Sequence, residues 1–316
     1  QPRSRGLGDV YKRQILDRIL HRVVVEEDMG AHPVIRYSGS FGWFIGGGDI
    51  HIYDGWYSGW LIPLSRFRGY RHAYQFCLIF RNVPRFVTEF GAQAFPCVEN
   101  LLKMLPRSLL ELIRRKGFRE AYRELAEYLK RHHQYQPGFM RLWIDYRKFD
   151  KLEDFVEATQ RYQAELIKFY CEYWRSKRYR PTGGALQFMF TDIAPLITWS
   201  VVDYWRRPKL GYYALRDAFR PLHIFMGWPK PKYKASRKHR FRVYVVNDFH
   251  RDFSGIVRML FGGAVVWEKK IFIPSDSLQR FDVWLRAPSR PGSYLIKLEL
   301  RLPDEIIENT YTIHVE

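Results

Sequence analysis

The feature that most constrains the fold is a change in hydrophobic pattern near residue 228. Ahead of it, apolar residues recur at helical spacing in long stretches, with short strand-like runs between them. After a connector rich in proline and lysine, short runs alternate between polar and apolar residues. Because 316 residues suffice for two domains, the pattern predicts an α/β region over 15–227 and an all-β region over 235–316.

The all-β region contains six alternating runs, at 241–246, 255–261, 265–273, 279–285, 293–301 and 310–315. Turn signals such as Gly262-Gly263 and Pro291-Gly292 separate them. Closely spaced short strands with a turn after each one are typical of a β-sandwich. The region is therefore predicted to form an immunoglobulin-like β-sandwich.

The α/β region has strand-like runs at 33–39, 49–53, 86–89 and 186–190. The segment 76–80 is compatible with a strand or a short helix. Helical periodicity is present at 15–28 and, inside a long insertion over 91–184, at 101–116, 119–132 and 152–178. A further helix is expected to end near residue 220, ahead of Pro221.

Glu89 is the first candidate for a catalytic residue. The β-branched run Phe86-Val-Thr-Glu89 breaks at Gly91, which predicts that Glu89 projects from the C-terminal tip of a strand. In a (β/α)8 barrel that rim carries the catalytic groups. A carboxylate there, set among aromatic residues, is typical of a glycosidase nucleophile. The alternative is a strand-end glutamate held in a salt bridge.

Three segments, and the helix that follows the last of them, resemble the motifs of glycoside hydrolase family 2, in its β-mannosidase-like branch. Residues 85–96 resemble its nucleophile segment "SEFG-x-QS-x-P", and residues 48–56 resemble "GD-x-H-x-W-x-x-W" of the sixth strand. Residues 183–204 resemble the last strand, "GG-x-L-x-WQLND-x-WP-x-x-SWS-x-(I/V)D", and 205–221 are similar to the helix that follows it. All of them occur in the order of the family.

The resemblance implies the C-terminal half of a (β/α)8 TIM barrel, strands five to eight, followed by the β-sandwich. It also implies a retaining exo-β-glycosidase, most simply a β-mannosidase, that hydrolyses terminal β-linked sugars by double displacement with Glu89 as nucleophile. No metal and no cofactor are implied. The alternatives are β-glucosaminidase, β-galactosidase or β-glucuronidase relatives, or a catalytically inactive carbohydrate-binding homologue.

The same resemblance suggests six substrate-binding residues: His51, Tyr53, Trp56, Phe188, Asp192 and Trp199. A hydrogen-bonded structural role is the alternative for His51, core packing for Trp56, and barrel-rim structure for Asp192 and Trp199. Several positions depart from the family pattern: Tyr53 stands where the family usually has Trp, and Phe188, Met189, Thr191 and Ala194 replace Trp, Gln, Asn and a second Trp. These departures bear on the specificity for mannose more than on the chemistry of glycoside hydrolysis.

The general acid/base residue of the family is a Glu preceded by Asn at the end of the fourth strand. At about 31 residues per βα unit, that strand would end about 94 residues before Glu89, ahead of residue 1. No Asn-Glu pair precedes Glu89. We therefore expect a C-terminal fragment that is inactive alone. Residues 1–14 show no signal-peptide pattern and are expected to be non-native, derived from a sequencing adaptor.

Composition limits the kinds of molecule that the protein is expected to bind. A net charge of +19 is compatible with nucleic-acid binding. However, the basic residues lie in runs of mixed charge such as 114–124, which are typical of solvated helix faces. The sequence contains no run of eighteen apolar residues, so no membrane-spanning helix is predicted. The three cysteines lack metal-ligand spacing and are predicted to be buried thiols. The expected partner is a β-linked oligosaccharide or glycoside, with no nucleic acid and no membrane, whereas oligomeric state and localisation stay open.

Overall fold

A computed structural model describes residues 13–32, 34, 49–57, 83–228, 230 and 232–316. Most of the predicted strand at 33–39, the segment 76–80 with Cys77, and most of the predicted non-native residues 1–14 lie outside the described residues. No helix in the described ranges is long and apolar enough to cross a membrane.

The α/β region contains a parallel sheet of three described strands. They are β1 (Asp49–Ile52), β2 (Phe86–Phe90) and β3 (Gly184–Gln187), in the order β1-β2-β3. These correspond to the runs predicted as strands six, seven and eight. The (β/α)8 barrel itself remains a prediction.

Strand β3 differs from the predicted range 186–190. It begins at Gly184 and ends at Gln187, because the chain then folds back on itself. The carbonyl of Phe190 accepts a hydrogen bond from the backbone N–H of Val202 (2.9 Å). Phe188 still donates its backbone N–H to the carbonyl of Phe90 (3.0 Å), whereas the carbonyls of Met189 and Phe190 accept from Val201 and Val202 of their own loop and do not extend the sheet.

Helices fill the rest of this region. A π-helical segment (Arg13–Leu20) leads into α1 (His21–Glu27), and the later helices are α2 (Val98–Lys103), α3 (Arg107–Lys116), α4 (Phe118–His132), α5 (Pro137–Trp143), α6 (Leu152–Arg175) and α7 (Leu210–Ala218). The stretch predicted as one helix over 101–116 is two helices. Pro106 separates them, since proline lacks the N–H that a continuous helix needs. Helix α5 was not predicted.

The long helix α6 positions the parallel sheet. Its buried face includes Leu166, Ile167 and Tyr170, each 0% exposed. Trp174 of this helix packs edge-on against Phe90 of β2, with ring centroids 4.9 Å apart. Burial of each large apolar side chain stabilises the fold by about 1.5–3 kcal/mol. The strand that carries Glu89 is thus held against a rigid support.

The C-terminal part consists of seven antiparallel strands in the described residues from 222 onwards: β4 (Leu222–Met226), β5 (Lys238–Asn247), β6 (Phe253–Phe261), β7 (Ala264–Ile273), β8 (Ser277–Arg286), β9 (Gly292–Arg301) and β10 (Ile306–Val315). They form two sheets, β10-β9-β6-β7 and β4-β5-β8. A shared apolar core includes Val243 from one sheet and Leu298 from the other. The predicted all-β character is observed, while the immunoglobulin-like assignment stays a prediction.

The boundary between the two regions lies earlier than predicted. Strand β4 falls inside the range 15–227 assigned to the barrel, yet it pairs with Val243–Asn247 of β5. All five of its residues are buried, so it shows no polar alternation in the sequence. The β region therefore begins at Leu222 and not at residue 235.

A buried polar cluster joins α6 to the β region. Glu172 accepts hydrogen bonds from the Tyr311 hydroxyl (2.8 Å) and the Asn309 amide (2.8 Å). Its Oε1 also lies 3.6 Å from Nε2 of His223. Because the Glu172 and His223 side chains are 0% and 3% exposed, the cluster is sealed from solvent.

Candidate functional site

The structure brings Glu89, His51 and Tyr53 together at the C-terminal end of the parallel sheet. The sheet register places Glu89 opposite His51, and Nδ1 of His51 lies 3.2 Å from Oε2 of Glu89. The Tyr53 hydroxyl donates to the same oxygen at 2.9 Å. An ionised carboxylate can only accept, which agrees with the Tyr53 hydroxyl acting as the donor. With 28% of its side chain exposed, Glu89 is held in place yet open to a ligand.

Tyr53 is suited to remain a donor. Burial is the main cause that raises the pKa of its hydroxyl well above the ordinary value of 10, and the hydrogen bond to Glu89 is the second cause. The hydroxyl therefore keeps its proton at neutral pH. Because the hydroxyl stays neutral, its hydrogen bond orients the Glu89 carboxylate without adding a second negative charge beside it.

Aromatic rings form a wall beside the carboxylate. Trp199 lies 6.2 Å from Tyr53, 6.2 Å from Tyr57 and 5.9 Å from Phe188, measured between ring centroids. The predicted residues Phe188 and Trp199 are thus brought to the same place as Glu89. Flat apolar surfaces next to a carboxylate suit the faces of a sugar ring. We call Tyr53, Tyr57, Phe188 and Trp199 the aromatic wall.

Gly91 allows the ends of β2 and β3 to meet. Its φ is +153°, and an added Cβ would lie 2.7 Å from the carbonyl oxygen of Phe188. It would also lie 2.9 Å from Nε2 of Gln187, which itself donates to the carbonyls of Phe188 and Trp199. A side chain at this position would push these segments apart. The break in the strand pattern after Glu89 therefore has a steric cause.

Trp56 does not belong to the surface of the site. It is 0% exposed, and its indole N–H donates to Oε1 of Gln136 (2.9 Å). Its carbonyl accepts from the indole of Trp143 (3.0 Å). The expectation that Trp56 contacts substrate is corrected, because neighbouring side chains from the helical insertion enclose it completely.

Asp192 is also buried instead of lining the site. Its carboxylate accepts hydrogen bonds from the hydroxyls of Thr198 (2.5 Å) and Ser200 (2.6 Å) and lies 3.5 Å from Nζ of Lys209. Burial lowers the pKa of Lys209, and the charge of Asp192 opposes that shift. With a side chain 0% exposed, Asp192 positions the loop that carries Trp199 and is not a direct sugar contact.

Three residues at the site were not singled out from the sequence: Tyr57, Gln93 and Gln136. Buried Gln93 donates to the carbonyl of Gln134 (2.9 Å) and accepts from the backbone N–H of Gln136 (3.0 Å). Gln136 in turn donates to the Tyr57 hydroxyl (3.3 Å). The helical insertion is thereby tied to the segment that follows Glu89. The available signal was the Gln of the nucleophile motif, which falls on Gln93.

The described cysteines and possible metal ligands do not add a second candidate site. Cys171 is buried as predicted, whereas Cys97 is half-buried, and both are free thiols. Burial raises the pKa of the Cys171 thiol, which makes it an unreactive core residue. Among the described residues, no group of three or more His, Cys, Asp or Glu side chains could hold a metal ion.

Comparison with known proteins gives related sequences and folds, although no family model matches the chain. β-Mannosidase B of Thermothelomyces thermophilus is 33% identical over 159 residues, which are 46% of this chain and 17% of the relative. β-Mannosidase B of Aspergillus clavatus is 28% identical over 276 residues, 80% of this chain and 29% of the relative. The chain thus spans less than a third of the length of these relatives.

A solved structure supports the same relationship at the level of the fold. The crystal structure of β-D-mannosidase from Dictyoglomus thermophilum matches 88% of this chain and 31% of its own chain, with a TM-score of 0.60 and 20% identity. The mixed architecture of a parallel sheet, helices and antiparallel β-sheets is therefore shared with that protein. The resemblance predicted from the motifs is confirmed: this chain is related to the β-mannosidases of glycoside hydrolase family 2 and corresponds to part of their length.

Proposed function

We propose that the protein is a retaining exo-β-glycosidase of the β-mannosidase type, which hydrolyses terminal β-linked sugars. The observation that carries the proposal is the carboxylate of Glu89, held by Tyr53 and His51 at the end of a parallel strand. The names of the related proteins support the substrate class. A terminal β-mannoside would lie on the aromatic wall with its anomeric carbon near Glu89.

The geometry suits a nucleophile in a double displacement. Tyr53 and His51 converge on Oε2, so we assign the attack to Oε1 of Glu89. That oxygen forms an ester to the anomeric carbon while the glycosidic oxygen leaves with a proton from a general acid. Water then cleaves the ester, with the same second residue acting as base. The hydrogen bond from Tyr53 and the contact with His51 limit rotation of the carboxylate during both steps.

The second carboxylate is proposed to come from a part of the protein beyond these 316 residues. Retaining enzymes place it about 5 Å from the nucleophile. No Asn-Glu pair of the family type precedes Glu89, and the matched relatives are much longer than this chain. General acid catalysis contributes about 10²- to 10⁴-fold, so the chain alone is expected to be inactive.

An inactive carbohydrate-binding homologue is the second candidate. It is favoured by the departures around β3, where Met189, Thr191 and Ala194 replace larger or amide side chains of the motif. The aromatic wall would serve binding equally well in that case. The presence or absence of turnover separates the two candidates.

The experiment is the substitution Glu89→Gln in the full-length protein that carries this chain. Because an amide cannot form the glycosyl ester, turnover of an aryl β-mannoside should fall by on the order of a thousandfold or more. The free energy of unfolding should change by less than about 0.5 kcal/mol. Glu120→Gln, on the exposed face of α4, is the matched control and should leave turnover unchanged. Turnover at the unmodified rate in Glu89→Gln would contradict the assignment.

A further inference from the structure

The outer face of the sheet β4-β5-β8 is covered over one half and open over the other. Along β5 and β8 alternate residues point into the sandwich, where Val243 and Val283 belong to the shared apolar core. On the opposite face of the sheet Tyr244 is only 7% exposed. Two residues earlier on the same face, the side chain of Arg242 is 44% exposed. The open half therefore lies toward the start of β5 and the end of β8.

The open half is rich in positive charge, and we call it the basic face. Its outward side chains are exposed and comprise five cations, one carboxylate and one indole: Lys238, Arg240 and Arg242 of β5, and Arg280, Asp282, Trp284 and Arg286 of β8. The sheet register places Trp284 opposite Arg240 and Asp282 opposite Arg242. Because outward residues follow one another at about 7 Å along a strand, these groups form one compact surface.

The charge of the basic face is not balanced within the fold. Lys238 lies directly opposite Arg286, and like charges in that position destabilise an antiparallel pair. Among the described residues, the ion pairs of this face are those of Asp282 with Arg240 and Arg242, both at 3.8 Å. Exposed ion pairs contribute little to stability. Five cations against one carboxylate leave a surplus of positive charge that an anionic ligand would neutralise.

Trp284 adds a flat apolar surface within this charge. It is 55% exposed, whereas tryptophan is highly buried on average. Nζ of Lys238 lies 5.8 Å from the centroid of its ring. An exposed indole with charged groups beside it can stack against the face of a sugar ring while its neighbours bind the polar substituents.

These groups favour an acidic polysaccharide over a nucleic acid. Single-stranded nucleic acids are bound by several aromatic side chains, because successive bases stack on them, and the basic face has one such ring. The carboxylate of Asp282 would repel closely spaced phosphates, but it can accept a hydrogen bond from a sugar hydroxyl. Guanidinium groups such as those of Arg240 and Arg242 match the geometry of a carboxylate.

We propose that the basic face binds an acidic polysaccharide whose sugar units carry carboxylates. One sugar ring stacks on Trp284, and carboxylates of this unit and its neighbours pair with Arg240 and Arg242. The ligand is bound at this face and is not cleaved there. Binding requires no reaction at Glu89, so it goes beyond the proposed hydrolysis and does not depend on it.

The test is calorimetric titration of the full-length protein with polymannuronate, a chain of β-linked sugars with one carboxylate on each unit. Binding should weaken as salt is added, because exposed charges are screened. Trp284→Ala should lower the affinity roughly three- to tenfold, since the ring contact is lost. Arg240→Gln combined with Arg242→Gln should lower the affinity about tenfold and flatten its dependence on salt.

Two control variants match these changes at other exposed positions. Phe272→Ala removes an aromatic ring that is 58% exposed on β7. Arg114→Gln combined with Arg115→Gln removes two exposed positive charges from α3. Both controls should bind polymannuronate as the unmodified protein does. Thermal unfolding should be the same for all four variants, because every substituted side chain is exposed.

Three results would overturn the assignment. The unmodified protein may show no binding, or Trp284→Ala may bind as tightly as the unmodified protein, which leaves no contact with a sugar ring. The Arg114 and Arg115 control may weaken binding as much as the loss of Arg240 and Arg242, which makes net charge the cause. Single-stranded oligothymidylate may bind more tightly than polymannuronate at the same salt concentration, which makes the ligand a nucleic acid. Turnover of an aryl β-mannoside, measured alongside, reports on Glu89 separately and should be unchanged in all four variants.

Discussion

Two clusters in this molecule contain the same three residue types, a glutamate, a histidine and a tyrosine. At the end of the parallel sheet, Glu89 accepts from Tyr53 and contacts His51, with the carboxylate 28% exposed. At the junction with the β region, Glu172 accepts from Tyr311 and contacts His223, with the carboxylate 0% exposed. The side chains are alike, and their surroundings differ.

The difference lies in burial and bonding, not in residue types, and it separates the cluster that we propose to be reactive from the one that is sealed in the interior. Both carboxylate oxygens of Glu172 have partners, since Asn309 donates to Oε1 and Tyr311 to Oε2. Burial alone would raise the pKa of Glu172, but the charge of Lys168 and the contacts with His223 and Asn309 hold it below its ordinary value. A sealed, fully bonded carboxylate stabilises an interface, whereas Glu89 has room for a substrate.

The largest expected effect on stability is at Glu172. Glu172→Gln removes a buried charge that Lys168 and three polar side chains surround, so the free energy of unfolding should fall by about 3 kcal/mol. Urea denaturation measures it, with Glu89→Gln as the matched substitution at the other cluster. The comparison breaks if Glu89→Gln is the more destabilising of the two.

The two tyrosines sharpen the comparison with a smaller change. Tyr311→Phe should lower the free energy of unfolding by about 1–3 kcal/mol, because the backbone N–H of Met226 and Asn309 lose an acceptor and Glu172 loses a donor. Tyr53→Phe should instead lower kcat for an aryl β-mannoside by roughly tenfold, since one donor to Glu89 is lost. Equal effects of both substitutions on turnover would show that the clusters do not have separate roles.

The smallest expected effect is on the pH dependence of stability. Burial lowers the pKa of His223 below 6.5, opposed by Glu172 and reinforced by Arg175 and Lys168. At a pH below 6.5 but above the lowered pKa of folded His223, the unfolded chain binds a proton that the folded chain does not. The free energy of unfolding is therefore highest above pH 6.5 and falls as the pH falls. One proton gives a slope of at most about 1.4 kcal/mol per pH unit.

Thermal unfolding between pH 7.5 and 5.5 measures this slope. His223→Gln should unfold with a flatter dependence than the unmodified protein, because the titrating group is gone. Ser236→Gly, which removes no titrating group, is the control, and it should leave the slope of the unmodified protein in place. A steeper slope in His223→Gln would reverse the expected sign.

Local patterns predicted much of the fold. Alternation placed all six runs after residue 238 inside observed strands, and periodicity placed α4 and α6 within a few residues. Strand β4 was missed because it is buried on both faces, and alternation is lost when both faces pack. The apolar periodicity continues across Pro106 and therefore does not indicate the split between α2 and α3, which the proline causes.

The site was predictable only in part. Motif order placed Glu89, His51 and Tyr53 together, and the sheet register agrees. Trp56 and Asp192 align with family positions as well. The alignment does not show that the helical insertion buries Trp56, or that Asp192 is buried against Lys209. The link between the helical insertion and the segment after Glu89 depends on contacts between segments far apart in sequence, such as those of Gln93 with Gln134 and Gln136. Such contacts leave no local pattern.

The most direct test of the central claim is covalent trapping of the nucleophile. The full-length protein is incubated with 2-deoxy-2-fluoro-β-mannosyl fluoride, digested, and analysed by peptide mass spectrometry. The 2-fluoro group slows hydrolysis of the ester, so the glycosyl intermediate accumulates on the attacking carboxylate. We predict one added sugar on the peptide that contains Glu89, and no label in Glu89→Gln. A label on any other carboxylate, with Glu89 unmodified, would contradict the account.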